Sequence, residues 1–272
     1  MKIMILSHKR RAANYVVDSE NSFEMGEISK WEEEGPFTNV LLKGTGLWCC
    51  FVKQNDTKEY DPLYYGKGMK LNDKLWYAQD QNGTCDIYDN SGNLLHQRIG
   101  EIGTGESDRI MIRKAGNIIY GYIDFEGKLI VPCVYDYAKE FQPSGYAVVG
   151  KKIDGEMQMG VIDTAGKFAL ALIPADQITT MSENECHYIV KRKGKVGVIN
   201  AYGEFIINCF YDDIYPKGKF FCLRKDGKYG LASAEGKIIF ECIYSELIET
   251  EDKFVVPEFL RKEVKKSEYE KR

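Results

Sequence analysis

The sequence predicts an all-β fold built from a repeated strand-turn-strand module, and three observations support it. A Gly or Asn recurs at intervals of 33 to 39 residues. Short stretches rich in β-branched and aromatic residues lie on both sides of each recurrence, which is typical of strands. A third such stretch precedes each pair. Sequence periods of this size indicate arrays of similar small units, so we expect seven three-stranded β-meanders in tandem.

The recurring residue marks one end of a tight turn. Its seven positions are Asn21, Asn55, Gly92, Gly127, Gly166, Gly203 and Gly236. Gly and Asn are the residues that best tolerate a positive φ. Five copies carry Asp or Asn three residues earlier, and a sixth carries Ser233. A side-chain oxygen at that place can accept a hydrogen bond from the turn backbone, which predicts a hairpin built on a type I turn.

Each predicted hairpin is joined to the third strand by a second glycine turn. These turns are expected at Gly44, Gly83, Gly116, Gly155, Gly194 and Gly227. Further strands at 3–6 and 254–256 would begin and end the array on the same kind of strand. This surplus strand would let the termini pair, which favours a closed ring resembling a β-propeller; an open β-solenoid is the alternative.

The chain divides into a repeat domain and a charged tail. Residues 1–256 form the predicted repeat domain, and residues 257–272 differ in character. In the tail, Phe259, Leu260 and Val264 are spaced for one apolar edge of a helix. We expect a short C-terminal helix that either caps the last strand edge or binds a partner.

Composition narrows the classes of function. The 272 residues carry 37 basic and 41 acidic side chains, a net charge of −4 that disfavours nucleic acid as a partner. The apolar runs are far shorter than the ~20 residues of a membrane-spanning helix, and the N-terminal stretch is too brief for a signal peptide. We therefore expect a cytoplasmic protein without a membrane segment.

The residues that could carry chemistry have structural explanations. Among eight cysteines, Cys133, Cys209 and Cys242 each stand six residues after a turn Gly, which predicts a repeated core position for a free thiol. No Cys-x-x-Cys occurs, and only three histidines are present. Cys186 and His187 could form a nucleophile pair, but a polar strand entry explains them better. We predict no catalytic residue, no metal site and no cofactor.

The clearest repeats resemble a known family. Residues 120–132 read Tyr-Gly-Tyr-Ile-Asp-Phe-Glu-Gly-Lys-Leu-Ile-Val-Pro, and 135–136 read Tyr-Asp. With the related stretches 159–167, 195–212 and 228–237, this pattern resembles the bacterial WG repeat over residues 108–248. The Trp of that family is replaced by Tyr120, Met159, Val196 and Tyr229, whereas Trp48 keeps it in an upstream copy. The resemblance implies an interaction module.

We accordingly expect a non-enzymatic scaffold or inhibitor that binds an unidentified protein through the loops after each hairpin, near 133–144, 209–218 and 243–252. The candidate contact residues are Tyr135, Asp136, Tyr211, Asp212 and Tyr244. One alternative is a small-molecule-binding or enzymatic propeller that uses a central channel. A further alternative is an immunity protein or phage-encoded inhibitor in bacterial conflict.

Overall fold

A computed structural model describes residues 3–8, 13–18, 23–53, 59–80, 82–181, 187–251, 253–256 and 262–265. The regular elements in these ranges are β-strands, which confirms the all-β class. No helix within them is long and apolar enough to cross a membrane. The chain divides into an N-terminal unit, Met1–Phe141, and a C-terminal unit, Gln142–Arg272.

The N-terminal unit contains a closed sheet of six strands followed by an open sheet of seven. The closed sheet consists of β1 (Ile3–His8), β2 (Ala13–Asp18), β3 (Phe23–Glu34), β4 (Phe37–Leu42), β5 (Trp48–Lys53) and β6 (Glu59–Tyr65). The open sheet consists of β7 (Met69–Lys70), β8 (Leu75–Gln79), β9 (Cys85–Asp89), β10 (Leu94–Ile102), β11 (Arg109–Lys114), β12 (Tyr120–Asp124) and β13 (Leu129–Tyr135). The short strand β14 (Tyr137–Ala138) ends the unit.

The C-terminal unit begins with β15 (Tyr146–Ile153), β16 (Glu156–Asp163) and β17 (Phe168–Pro174), which pair antiparallel in sequence order. The next sheet contains β18 (Gln177–Thr180), β19 (His187–Arg192), β20 (Lys195–Asn200) and β21 (Phe205–Tyr211). It is followed by β22 (Asp213–Lys217), β23 (Phe220–Lys225), β24 (Lys228–Ser233) and β25 (Ile238–Tyr244). The last sheet is β26 (Ile248–Glu249), β27 (Lys253–Val256) and β28 (Lys262–Lys265).

The expectation of three-stranded units is corrected by these last sheets. In these two sheets of the C-terminal unit the predicted meander is present, but the strands β18 and β22 each add a fourth member in front of it. In the N-terminal unit the predicted three-stranded units are not separate sheets, because the strands form one closed sheet of six and one open sheet of seven. The number of seven units stays a prediction. Both added strands are short and lie directly after the Tyr or Asp that ends the previous repeat. Their sequences lack a clear alternation of apolar and polar residues, so pattern alone did not indicate them.

The predicted turns are formed wherever the structure describes them. Gly92, Gly127, Gly166, Gly203 and Gly236 have φ between 80° and 86°. Each donates its N–H to the carbonyl three residues earlier, at 2.8 to 3.1 Å. Asn21 and Asn55 lie outside the described residues. The second set, Gly44, Gly83, Gly116, Gly155, Gly194 and Gly227, also has positive φ, from 72° to 83°.

Two expectations about the ends of the chain are wrong. Residues 262–265 of the predicted helical tail form strand β28, which pairs with β27 through Phe254↔Val264 and its neighbours. The edge of β27 offers backbone hydrogen bonds that a four-residue helical segment cannot supply for itself. The rest of the tail, 257–261 and 266–272, lies outside the described residues.

The predicted pairing of the two terminal strands is not formed either. Strand β1 lies between β2 and β6, and β27 lies between β26 and β28. A strand has two edges, so neither keeps one for the terminal pairing. The choice between a ring and an open solenoid remains a prediction.

The core of the C-terminal unit lies between successive sheets. Val196, Val198 and Ile207 of one sheet contact Ile214, Phe221, Leu223 and Ala232 of the next. In the same manner Phe220, Leu231 and Phe240 contact Phe254 and Val256, and the rings of Phe220 and Phe254 meet edge to face at 5.2 Å. A single sheet therefore has no complete core, and neighbouring repeats stabilise one another.

Candidate functional site

The recurring aspartates are fixed by the turns they precede. Asp124 Oδ1 accepts the backbone N–H groups of Glu126 and Lys128 at 3.0 and 2.8 Å. Asp163 Oδ1 does the same with Ala165 and Lys167 at 3.0 and 2.9 Å. These bonds satisfy turn donors that the hairpin leaves unpaired, as the sequence predicted. They give the two carboxylates a structural role.

The predicted contact tyrosines lie mostly in the core. Tyr135 is 7% exposed and Tyr244 is 8% exposed, and Tyr211 is half-buried. Burial raises the pKa of both Tyr135 and Tyr211 above the usual range of a phenol. The rings of Tyr135 and Tyr244 are therefore not available to a partner, and they serve packing.

The neighbouring aspartates behave differently from the tyrosines. Asp136 is half-buried, whereas Asp212 lies at the surface. Asp212 Oδ1 accepts a hydrogen bond from Lys195 Nζ at 2.6 Å, and Oδ2 accepts the backbone N–H of Asp226, also at 2.6 Å. Lys195 belongs to β20 and Asp226 to the turn between β23 and β24, so Asp212 connects two successive repeats.

The Asp212 contacts make stability depend on pH. The hydrogen bond from Lys195 lowers the pKa of the Asp212 carboxyl below its ordinary value of 3.8. Since the folded state binds the proton more weakly than the unfolded chain, this contribution is present above about pH 4 and is lost as the pH falls through the lowered pKa. We expect Asp212→Asn to unfold at lower urea concentration than the wild type at pH 7. The difference should shrink at pH 2.5.

The control for Asp212 is Asp176→Asn, which removes a carboxylate from the corresponding place in the preceding repeat. Asp176 is exposed, and its backbone N–H bonds Lys191 O at 2.8 Å as that of Asp212 bonds Arg224 O at 2.8 Å. We expect a smaller loss from this variant at pH 7. Equal losses in the two variants would mean that loss of charge alone explains the effect.

Reasoning from the sequence did not identify three exposed apolar side chains that recur at one position of the repeat. Val134, Phe210 and Ile243 each stand between the recurring Cys and Tyr, and they are 45%, 63% and 61% exposed. We call these three the bulge residues, because each lies where its strand is out of register with its neighbour. In β21, for example, Ile207 pairs with Val198, and Tyr211 pairs with Val196. The chain therefore advances four residues in β21 over a stretch where β20 advances only two. A bulge of this kind redirects side chains.

The recurring thiols lie beside these bulges. Cys133 and Cys242 are half-buried and pack against the core clusters, as expected for small apolar groups. Burial raises the pKa of the Cys242 thiol to about 11 and also raises that of Cys133 and Cys209. These thiols are protonated at neutral pH and are therefore poor nucleophiles.

The remaining candidates for a catalytic or metal-binding role are His187, Cys186 and the acidic side chains. His187 begins β19, its ring lies 6.0 Å from that of Phe221, and burial lowers its pKa. Cys186, its proposed neighbour, lies outside the described residues. Among the side chains that the structure does describe, no group of three His, Cys, Asp or Glu is arranged to hold a metal ion.

Comparison with family models decides the nature of the central repeat. The model of the WG containing repeat matches residues 120–152. This segment is a WG repeat. It contains β12, β13, β14 and all but the last residue of β15. The first two of these strands contribute Tyr120, Gly121, Tyr135 and the bulge residue Val134.

Comparisons with whole proteins give weaker results. No curated protein matches the chain. Among solved structures, BamB from Moraxella catarrhalis is 13% identical, with a TM-score of 0.27 over 93% of this chain and 78% of its own. AztD from Citrobacter koseri is 9% identical, with a TM-score of 0.37 over 97% and 94%. Hsv2p from Kluyveromyces lactis is 8% identical, with a TM-score of 0.34 over 83% and 89%. Similarities at these low identities and TM-scores do not support a conclusion about function.

The glycine of the WG repeat, which follows the Trp position, has a steric explanation. A Cβ on Gly121 would lie 2.5 Å from Val131 O and 2.8 Å from Cys133 N, in the bulged strand β13. Gly160, Gly197 and Gly230 stand at the same place in the later repeats and would meet backbone atoms of the paired strand at 2.5 to 2.8 Å. Each of these glycines faces a bulge. The WG glycine thus makes room for the bulge that turns the bulge residue outward.

The Trp position of the WG repeat tolerates substitution because the side chains around it are apolar. Tyr120 pairs with Tyr135 across the strands, and Val196 pairs with Tyr211. Met159 and Val196 are buried. Side chains as different in size as Tyr120, Met159 and Val196 fill this place, whereas a Cβ on the glycine beside it would meet the bulged strand.

Proposed function

We propose that the chain is a non-enzymatic protein-binding repeat module. The observation that supports this is the exposure of the bulge residues, since three repeats present a large apolar side chain to solvent at one register position. A single exposed apolar residue is ordinary in a folded protein. Here such a residue recurs in three repeats, each time at the bulge that faces a glycine, and this recurrence indicates an interaction site.

The contact surface proposed for the C-terminal unit consists of the described residues of the segments 209–218 and 243–252. Besides Phe210 and Ile243, these segments expose Tyr215 and Ile248. Aromatic and aliphatic side chains of this kind are the usual anchors of protein interfaces. Full burial of one such side chain in a partner is worth about 1.5–3 kcal/mol. Two of them would supply a large part of the affinity of a moderate complex.

The test places a photo-crosslinking amino acid at position 210 of the full-length chain and identifies the protein that it captures. The affinity of the purified partner is then measured for the wild type and for the double variant Phe210→Ser, Ile243→Ser. We expect the double variant to bind at least tenfold more weakly, because both anchors are lost.

The matched control is Tyr202→Ser. Tyr202 is 89% exposed, but it lies in the turn between β20 and β21, away from the proposed segments. This variant should bind the partner within about twofold of the wild type. Similar capture from positions 202 and 210, or wild-type affinity in the double variant, would show that the bulge residues are not the contact surface.

A further inference from the structure

A groove of about 500 Å³ opens in the N-terminal unit, and its lining does not include a bulge residue. Three chain connections form its walls. The β7–β8 connection supplies Asn72, Asp73 and Lys74, the β10–β11 connection supplies Asp108, and the β12–β13 turn supplies the rest. The last group consists of Asp124, Phe125 and Glu126. Phe125 contributes an aromatic ring to this lining, and the other lining residues are polar or charged.

The walls of the groove are held in place by hydrogen bonds. Asn72 Oδ1 accepts the backbone N–H groups of Lys74 and Leu75 at 2.8 and 2.9 Å, and Asn72 Nδ2 donates to Phe125 O at 3.3 Å. Asn90 Nδ2 donates to Asp73 O at 3.0 Å. A groove built in this way loses little conformational freedom when a ligand enters.

The Asp108 wall is an unusual hairpin turn. Glu106 and Arg109 exchange both backbone hydrogen bonds, at 3.0 and 2.9 Å, around Ser107 and Asp108. These two residues have φ of 51° and 57°. Such two-residue turns favour Asn and Gly, which adopt positive φ at lower cost. The turn therefore accepts backbone strain while holding a carboxylate at the groove.

The charge around the groove favours a cation. The lining contains four carboxylates, those of Asp73, Asp108, Asp124 and Glu126, and one ammonium group, that of Lys74. Two of these carboxylates already accept hydrogen bonds from ammonium groups of the chain: Lys74 Nζ donates to Glu126, and Lys70 Nζ donates to Asp73 at 2.7 Å. A phosphate or another anion would be repelled by this arrangement.

The ring of Phe125 favours a cation that carries a hydrocarbon stem. Phe125 is partly buried and packs against the core cluster of the open sheet. Gly105 leaves room for its ring, since a Cβ there would lie 3.0 Å from Phe125 Cε1. An arginine side chain has the matching shape, because its alkyl part can lie along an aromatic ring while its guanidinium bonds carboxylates.

We propose that this groove binds a basic segment of a protein partner, with an arginine side chain along Phe125 and its guanidinium among the four carboxylates. The proposal adds a second contact to the protein-binding function and specifies its chemistry. It does not require the bulge residues, so either assignment can fail alone.

The test is a titration of the full-length protein with an acetylated and amidated hexapeptide of alternating arginine and glycine, at low ionic strength. We expect saturable binding and NMR shift changes centred on the amides of Asp108 and Phe125 in the wild type. The double variant Asp73→Asn, Asp108→Asn should bind about tenfold more weakly, because two carboxylates become neutral amides. Asn also tolerates the positive φ at position 108.

The matched control is Asp154→Asn, Glu156→Gln, which removes the same formal charge from the hairpin of β15 and β16 in the other unit. It should bind within about twofold of the wild type. Equal weakening of both variants, or equal binding of a peptide with citrulline for arginine, would overturn the proposal. So would spermidine binding as tightly as the peptide, or shift changes elsewhere than the groove in the wild type.

Discussion

Replacing Gly197 with Ala is expected to lower the free energy of unfolding by about 3 kcal/mol. The added Cβ would lie 2.5 Å from Ile207 O and 2.8 Å from Cys209 N. Both atoms belong to the backbone of the paired strand β21, which cannot move aside without breaking hydrogen bonds to β20. The loss should appear as a lower midpoint in urea with an unchanged dependence on urea concentration, if the native fold is kept.

The control for Gly197 is Gly194→Ala in the same hairpin. Gly194 has φ of 77°, and a Cβ there would meet no atom within 4 Å. This variant carries only the cost of the left-handed conformation, about 1–2 kcal/mol. Equal losses at the two positions would contradict the steric explanation of the WG glycine.

Strands and turns could be predicted because their causes are local. A turn such as that of residues 124–127 needs only an Asp oxygen for its N–H groups and a Gly that accepts a positive φ, and both are visible in the sequence. The bulges could not be predicted in this way. A bulge is a relation between two strands, and neither strand alone indicates its register.

Two upstream copies show what the WG glycine requires. Cys49 stands where this glycine would be, and beside it β5 and β6 pair in regular register through Cys49↔Tyr65, Cys50↔Tyr64 and Phe51↔Leu63. Their register shifts only further along, between Phe51 and Lys53. Without a bulge opposite, a Cβ is accommodated. The replacement of the glycine by Cys49 is therefore matched by a different position of the register shift.

The other upstream copy keeps an irregular register with Asp86 in place of the glycine. Strand β10 slips against β9 between His96 and Ile99, and Arg98 lies in the slipped segment with φ of 57°. Asp86 Oδ1 accepts the backbone N–H of Arg98 at 2.8 Å. The carboxylate thus satisfies a donor that the bulge exposes, which offsets the loss of the glycine.

The predicted contact residues show the same limit of sequence reasoning. Tyr135 and Tyr244 recur because the core needs a large ring, and recurrence alone does not distinguish a packing role from a binding role. The residue before each of them, Val134 or Ile243, varies in size and type but is exposed. The burial of a side chain distinguishes a packing role from a binding role. At these positions the bulge determines which side chain is buried and which is exposed. The groove at Phe125 is formed by chain connections that are more than 50 residues apart in the sequence. Asn72 and Phe125, for example, form a hydrogen bond that the sequence alone does not reveal.

Replacing Gly236 with Ala is expected to be the most destabilising of these changes, with a loss of about 4 kcal/mol. Gly236 has φ of 80°, so Ala would carry the cost of the left-handed conformation. In addition, its Cβ would lie 2.1 Å from Ile206 O and 2.8 Å from Ile206 C, in strand β21 of the preceding repeat. The clash therefore acts between repeats, and urea unfolding followed by tryptophan and tyrosine fluorescence would measure it.

The matched variant Gly227→Ala separates the two costs. Gly227 lies in the same sheet, has φ of 72° and would place its Cβ more than 4 Å from any other group. Its loss should be about 1–2 kcal/mol, that of the conformation alone. If the repeats were independent modules, the two alanines would cost the same, because each would disturb only its own turn. An excess at Gly236 measures how strongly one repeat depends on the backbone of the repeat before it, which is the property expected of an array whose core lies between its sheets.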